Sequence, residues 1–155
     1  MKNAFNVEYF NLIDFKLLKG QVESPYEVNR EQIASYQFEV GFEMSFNLEE
    51  KLVRSDLQLK IEVKNKDENL TEKASGYFEL LYLYKVDNLN DLVEKRPEDE
   101  TLLINAHLAN AVASTSYSTA RGVLLTRFQG TMLSDFILPV MDPNKLVETK
   151  GLLGK

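Results

Sequence analysis

The residues that could do chemistry are few, and their spacing does not favour it. His107 is the single histidine, and Ser114 and Ser116 follow it. A serine nucleophile needs a base within hydrogen-bond reach and a carboxylate to orient that base, yet no nucleophile elbow and no orienting carboxylate accompany these residues. His107 is therefore expected on a helix surface, and the chain is expected not to be an enzyme. Asp67, Asn69 and Thr71 begin like a calcium loop, but Glu72 stands at the sixth position, where the sharp turn demands glycine. A solvated turn is the simpler reading. Lys150, Gly151, Gly154 and Lys155 lack phosphate-loop spacing and a following helix. The carboxylates of Glu39, Glu43, Glu49 and Glu50 could dock a basic partner or form the wet side of a strand, and both readings stay open.

Composition narrows the classes further. Eighteen basic against twenty-four acidic residues leave a net charge of minus six, so nucleic-acid phosphates would meet repulsion, and no basic patch offsets it. With no cysteine there is neither a disulfide framework nor a thiolate metal site, and one histidine cannot build a multi-histidine zinc site. No metal or cofactor is expected. Asn6, Glu8, Asn11 and Asp14 interrupt the N-terminal stretch before a signal-peptide core can form. No run reaches the roughly eighteen apolar residues of a membrane span. The expectation is a cytoplasmic chain without membrane insertion. It would form one domain over residues 1–155, with a short flexible tail from about residue 148.

The elements that would position any site are clearer. From Tyr36 to Leu48 apolar residues occupy every second position, against Gln37, Glu39, Gly41, Glu43, Ser45 and Asn47, which is the period of a half-buried strand. Leu57, Leu59, Ile61 and Val63 repeat it, and the charged segment 49–56 can reverse the chain into an antiparallel hairpin. Apolar residues fall on both parities in 7–18 and again in 77–84. Such strands have no wet face and call for cover by a subunit or a bound partner. Residues 23–34 read as a loop, and Pro97 is placed to open the following helix. Tyr117, Ala120, Leu124 and Phe128 share one helical face, with Gly130 as its C-cap glycine. The hydroxyl run within 113–119 predicts a break or kink, and Gly151 and Gly154 leave little room for a terminal helix beyond Pro143.

Ser75, Gly76 and Phe78, then Ala120 and Arg121, then Gly130 and Thr131, then Pro139 and Val140 form an ordered series. In that series, and in the acidic-apolar alternation of Gln37, Glu39, Val40, Phe42 and Met44, the chain resembles the SecB-type export chaperones over about residues 5–147. An insertion around 87–99 sets it apart. The expected fold is α+β: a four-stranded antiparallel sheet, with strands in chain order, packed against a long kinked C-terminal helical segment. The resemblance implies a homotetramer built as a dimer of dimers. It also implies an ATP-independent holdase that binds unfolded polypeptides, among them preproteins for export.

On that resemblance the client-binding residues are Val40, Phe42, Met44, Leu59, Ile61, Phe78, Phe128 and Leu146. On residue pattern alone the stripe of Phe38, Val40, Phe42, Met44 and Phe46 reads first as core. Met44, Met132 and Met141 would suit a surface accepting varied side chains. Family members that dock on the translocase motor ATPase present acidic residues at positions where this chain has Glu23, but also Lys19 and Thr71. The reversed charge at Lys19 argues against motor docking and leaves open other clients, such as the antitoxin of a toxin-antitoxin system. A domain enclosing a small hydrophobic ligand is the alternative from another class; a pocket closed within one protomer would mark it.

Overall fold

The computed structural model describes residues 4–148, so the expected tail, with Lys150, Gly151, Gly154 and Lys155, lies outside the described residues. Four long strands, β1 (Phe10–Glu23), β2 (Ile33–Asn47), β3 (Leu52–Asn65) and β4 (Ser75–Val86), form one antiparallel sheet. A short helix α1 (Leu89–Leu92) and a small ribbon of β5 (Val93–Lys95) with β6 (Leu102–Ile104) lead into the long helix α2 (Ala106–Arg127). The final element is α3 (Pro143–Glu148).

The alternation read in the sequence holds for β2 and β3, where the helix-side row of β3 is buried and Arg54, Gln58, Lys60 and Lys64 are exposed. Strand order differs from expectation: the sheet runs β1-β4-β3-β2 rather than in chain order. Alternation assigns side chains to faces and says nothing about neighbours. The 24–32 connection carries the chain across to the far edge, and β1 pairs with β4 in a Greek-key arrangement. Met132 N–H donates to Ser24 Oγ at 3.0 Å, and Arg30 bonds Ser134 and lies 3.7 Å from Asp135, which ties that connection to the C-terminal part of the chain.

The two-sided apolar pattern of β1 also has a different origin. Its register slips between Leu12 and Asp14 and again between Leu17 and Lys19, so Ile13 and Leu18 are bulge residues and each reverses the parity. With the bulges counted, Phe10, Leu12, Phe15, Leu17 and Val22 share the helix side, while Asn11, Asp14, Lys16, Lys19, Gln21 and Glu23 share the other. β1 therefore has a wet face after all. In β4 the helix-side row is buried, and the outward Leu81 and Leu83 are already half-buried between Lys16, Asp56, Asp14 and Arg54.

Across β3 and β4 lies α2. Asn105 caps it, its side chain accepting from His107 N–H at 2.9 Å and Leu108 N–H at 3.2 Å. Pro97 therefore does not open this helix; it sits in the β5–β6 turn, closed by Arg96 N–H to Thr101 O at 2.7 Å. The expected break at 113–119 is absent too, and α2 runs through it without interruption. Two things offset the poor helix propensity there. Ala109, Ala113 and Ala120 let the helix lie close on the sheet, and buried Ser116 hydrogen-bonds both Ser55 Oγ and Tyr84 OH at 2.8 Å. Tyr117, Ala120, Leu124 and Phe128 do form one buried face.

The helical segment ends at Arg127, and Gly130 takes a φ of 79°, which favours glycine. Residues 128–142 then run as a strap over the sheet, with Leu133, Phe136 and Leu138 buried. Phe136 packs at 5.4 Å on Tyr36 and 6.3 Å on Phe128. Arg121 Nε donates to Leu138 O at 2.9 Å and Arg121 Nη2 to Pro139 O at 3.4 Å, while Tyr117 OH donates to Pro139 O at 2.6 Å, so the Arg121 and Pro139 of the sequence series are physical partners. After Pro143 a terminal helix forms despite the expectation against one, six residues long, with Leu146 and Val147 buried.

Candidate binding groove

Between the helix-side row of β2 and the end of the strap lies a groove of about 770 Å³. Phe38, Val40 and Phe42 form one wall. Met141, Leu146 and Lys145 form the other, and Gly41 and Glu43 of β2 with Asp56 and Gln58 of the neighbouring β3 line it on the outward face of the sheet. Period-two placement puts the three apolar β2 residues in one row, and α3 brings Leu146 opposite because its buried face turns toward β2. The groove is open to solvent along β2 and is not enclosed within the protomer, unlike a small-ligand cavity.

The eight expected client residues divide into two groups. Val40, Phe42 and Leu146 come together in the groove, although Phe42 is only 6% exposed and belongs to the core as well. Met44 is half-buried in the same row but is not part of the lining. Leu59, Ile61, Phe78 and Phe128 are fully buried; Phe128 meets Phe78 edge-on at 5.7 Å. As placed, these four belong to the core and are not part of the groove lining. Sequence reasoning left out Phe38 and Met141, though both were visible, one in the apolar stripe and the other among the adaptable methionines. Glu23 ends β1 at the opposite edge of the sheet, facing Ser75, and Lys19 lies over the Tyr77 ring at 5.4 Å.

A second apolar surface lies at that opposite edge. Phe15 and Leu17 of β1, with Thr119, Gly122, Val123, Thr126 and Arg127 of α2, line an open depression of about 420 Å³. Leu12 is 42% exposed and Phe15 37%.

Among the described residues, the shifts in proton affinity fall mainly on tyrosines. Burial pushes the Tyr84 phenol up to about 12, with hydrogen bonds from Ser116 and Ser55 acting the other way, and burial raises Tyr82 further still. Tyr36 is raised by burial and by Asp135. The Ser55, Ser116 and Tyr84 cluster is thus a neutral strut between sheet and helix, while His107 is exposed at the start of α2. Asp67 accepts from Asn69 N–H at 2.9 Å as in a solvated turn. Among the described residues no group of acidic, histidine or cysteine side chains is placed to hold a metal ion, and no helix is long and apolar enough to cross a membrane.

No protein-family model and no curated protein matches this chain. Among solved structures it is similar to a Mycobacterium tuberculosis SecB-like chaperone in complex with a ChAD peptide from the HigA1 antitoxin. The TM-score is 0.54 at 15% identity, covering 87% of this chain and 92% of that one. At that identity the likeness is one of architecture, shared by a four-stranded antiparallel sheet and a long covering helix. The chain has a SecB-like α+β fold.

Proposed function

We propose that this chain is an ATP-independent holdase that binds non-native polypeptide segments in the β2 groove and keeps them from aggregating. The observation that carries the reading is the open apolar groove between Phe38, Val40 and Phe42 on one side and Met141 of the strap and Leu146 of α3 on the other, in a chain with a SecB-like fold. No bond needs to be made or broken. A client segment burying about 400 Å² of apolar surface gains about 10 kcal/mol gross, against roughly 1–2 kcal/mol for every residue ordered. One groove is therefore weak, and useful affinity needs several grooves on one chain. A homotetramer, a dimer of dimers, supplies them, and the exposed apolar face of β1 with α2 is the surface for such assembly.

Which clients it serves is a separate matter. Preproteins for export are one class. An antitoxin is the second reading, favoured because the similar chaperone from Mycobacterium tuberculosis was solved with an antitoxin peptide.

The test pairs Val40→Asp and Met141→Glu, each measured by suppression of aggregation of an unfolded client and by thermal melting. Placing an unpaired charge on a groove wall should weaken retention by about tenfold or more, with both melts close to that of the parent. Full suppression by both variants would remove the groove from the function.

A further inference from the structure

The chain contains four methionines and no cysteine, so oxidation at sulfur falls on thioethers alone. Three of the four lie within the described residues, and their places differ. Met44 is half-buried in the apolar row of β2 but outside the groove lining, while Met132 packs on the core at the start of the strap, its N–H donating to Ser24 Oγ. Met141 is on the groove wall itself, opposite the row of Val40 and Phe42.

Met141 is also within reach of solutes. The groove is open along β2, and Met141 stands between Val140, which is 89% exposed, and the exposed Asp142. Pro139 and Pro143 bracket the segment, and neither has an N–H to tie it into a ladder. What holds it is bonding at its ends: Pro139 O accepts from Tyr117 and Arg121, and Asp142 O accepts from Lys145 N–H at 3.0 Å. None of these bonds uses the Met141 side chain, so a change at its sulfur leaves them in place.

Resting on the holdase reading, we infer that Met141 is a reversible oxidation site that sets how tightly the groove holds its client. The oxidant is a hydroperoxide. The sulfur lone pair attacks a peroxide oxygen, the O–O bond breaks and an S–O bond forms; sulfur gives up two electrons, and hydrogen peroxide, having taken them, leaves as water. A methionine sulfoxide reductase reverses the change, its thiols giving two electrons and becoming a disulfide while the oxygen departs as water.

The oxide acts on binding more than on folding. In the empty groove its oxygen meets water, and Gln58 and Lys145 of the same lining carry N–H donors. An apolar client side chain packed on that wall displaces the water and returns no hydrogen bond. The thioether presents the same client with a soft, adaptable surface. Reduced protein therefore holds, and oxidised protein releases.

The experiment exposes the full chain to dilute hydrogen peroxide and follows each methionine by peptide mass mapping, with retention of an unfolded client and thermal melting measured on the same samples. Met141 should gain one oxygen atom, and retention should weaken by about tenfold in step with that gain. The melt should stay close to that of untreated protein, and a sulfoxide reductase should restore retention. In variants the quantity read is the ratio of retention after peroxide to retention before it. Peroxide should leave that ratio unchanged in Met141→Leu and lower it as in the parent in Met44→Leu and in Met132→Leu.

Oxygen on Met44 or Met132 but not on Met141, or the same peroxide loss in Met141→Leu as in the parent, would overturn the site. A loss of retention that comes only with collapse of the melt would overturn it as well, because oxidation would then act through folding. Full retention by protein oxidised at Met141 would overturn the switch and leave the holdase reading in place. Failure of untreated protein to hold any unfolded client would overturn both.

Discussion

At one edge of the sheet β1 carries two bulges within fourteen residues and leaves Leu12 and Phe15 partly exposed on the helix side. At the other, β2 keeps its register over residues 36 to 47, and the strap and α3 lie along its apolar row. Bulges interrupt a ladder and twist an edge away from easy pairing. What β1 offers is therefore mainly a side-chain surface, continued onto α2 by Val123 and the small residues around Gly122. What β2 offers is backbone with an apolar trough beside it. On the proposed function, the first edge would serve self-assembly and the second client binding.

The largest effect should come from the core. Phe128 is fully buried against Phe78 and Phe136, so Phe128→Ala should cost about 3–5 kcal/mol, read as a fall in denaturation midpoint. Val40→Ala, at a half-buried position on the wall, should cost much less. Similar losses for both would mean that groove and core are one body, and that β2 has no separable surface.

That boundary shows what sequence alone could and could not reveal. Alternation in 36–48 and 57–63 was legible because each strand has one wet side, and a period of two is then forced. The helical face of Tyr117, Ala120, Leu124 and Phe128 was legible for the corresponding reason. Depth was not, since Val40 and Ile61 look alike in sequence, and only the neighbouring layers make Ile61 fully buried while leaving Val40 half-covered. Strand order was hidden because pairing partners leave no mark on parity. The bulges at Ile13 and Leu18 imitated a strand apolar on both sides, and Ser116 suggested a helix break until its partners on β3 and β4 were in view.

A sharper test of the β1 edge is Leu12→Asp combined with Phe15→Asp. Both side chains already meet solvent in the single chain, so folding should survive, while a second copy packed there would have to bury two unpaired charges. Light scattering should show the mass falling toward that of one chain at micromolar concentration. An unchanged mass would move the assembly surface elsewhere, and a parent protein that is itself a stable monomer would remove self-assembly from the scheme.

A smaller effect tests the layer common to both edges. Tyr84 is raised to about 12 from its ordinary 10.0. Its folded-state value lies above the unfolded one, so the stability linked to this phenol is fully present below about pH 10 and is lost as pH rises toward 12. Melting temperature should therefore vary little between pH 7 and 9 on account of this group, then fall. Tyr82 OH is buried with no hydrogen-bond partner, so Tyr82→Phe should be neutral or stabilising by about 1 kcal/mol. A loss of 2 kcal/mol or more would point to a missing partner for that hydroxyl.

The smallest expected effect is at Glu23, at the far end of β1. Motor docking in the resembling family relies on acidic residues, and here the outward row of the same strand places Lys16 and Lys19 ahead of Glu23. Lys19 also lies over the Tyr77 ring at 5.4 Å, so its charge is held on the sheet surface beside the strand end. A basic motor segment approaching Glu23 would meet that cation at close range, and an exposed carboxylate in water contributes little by itself. Calorimetric titration with the C-terminal segment of a translocase motor should give weak heat or none, and Glu23→Ala should leave the trace unchanged. Tight binding abolished by Glu23→Ala would overturn this argument and would give the β1 edge a docking role.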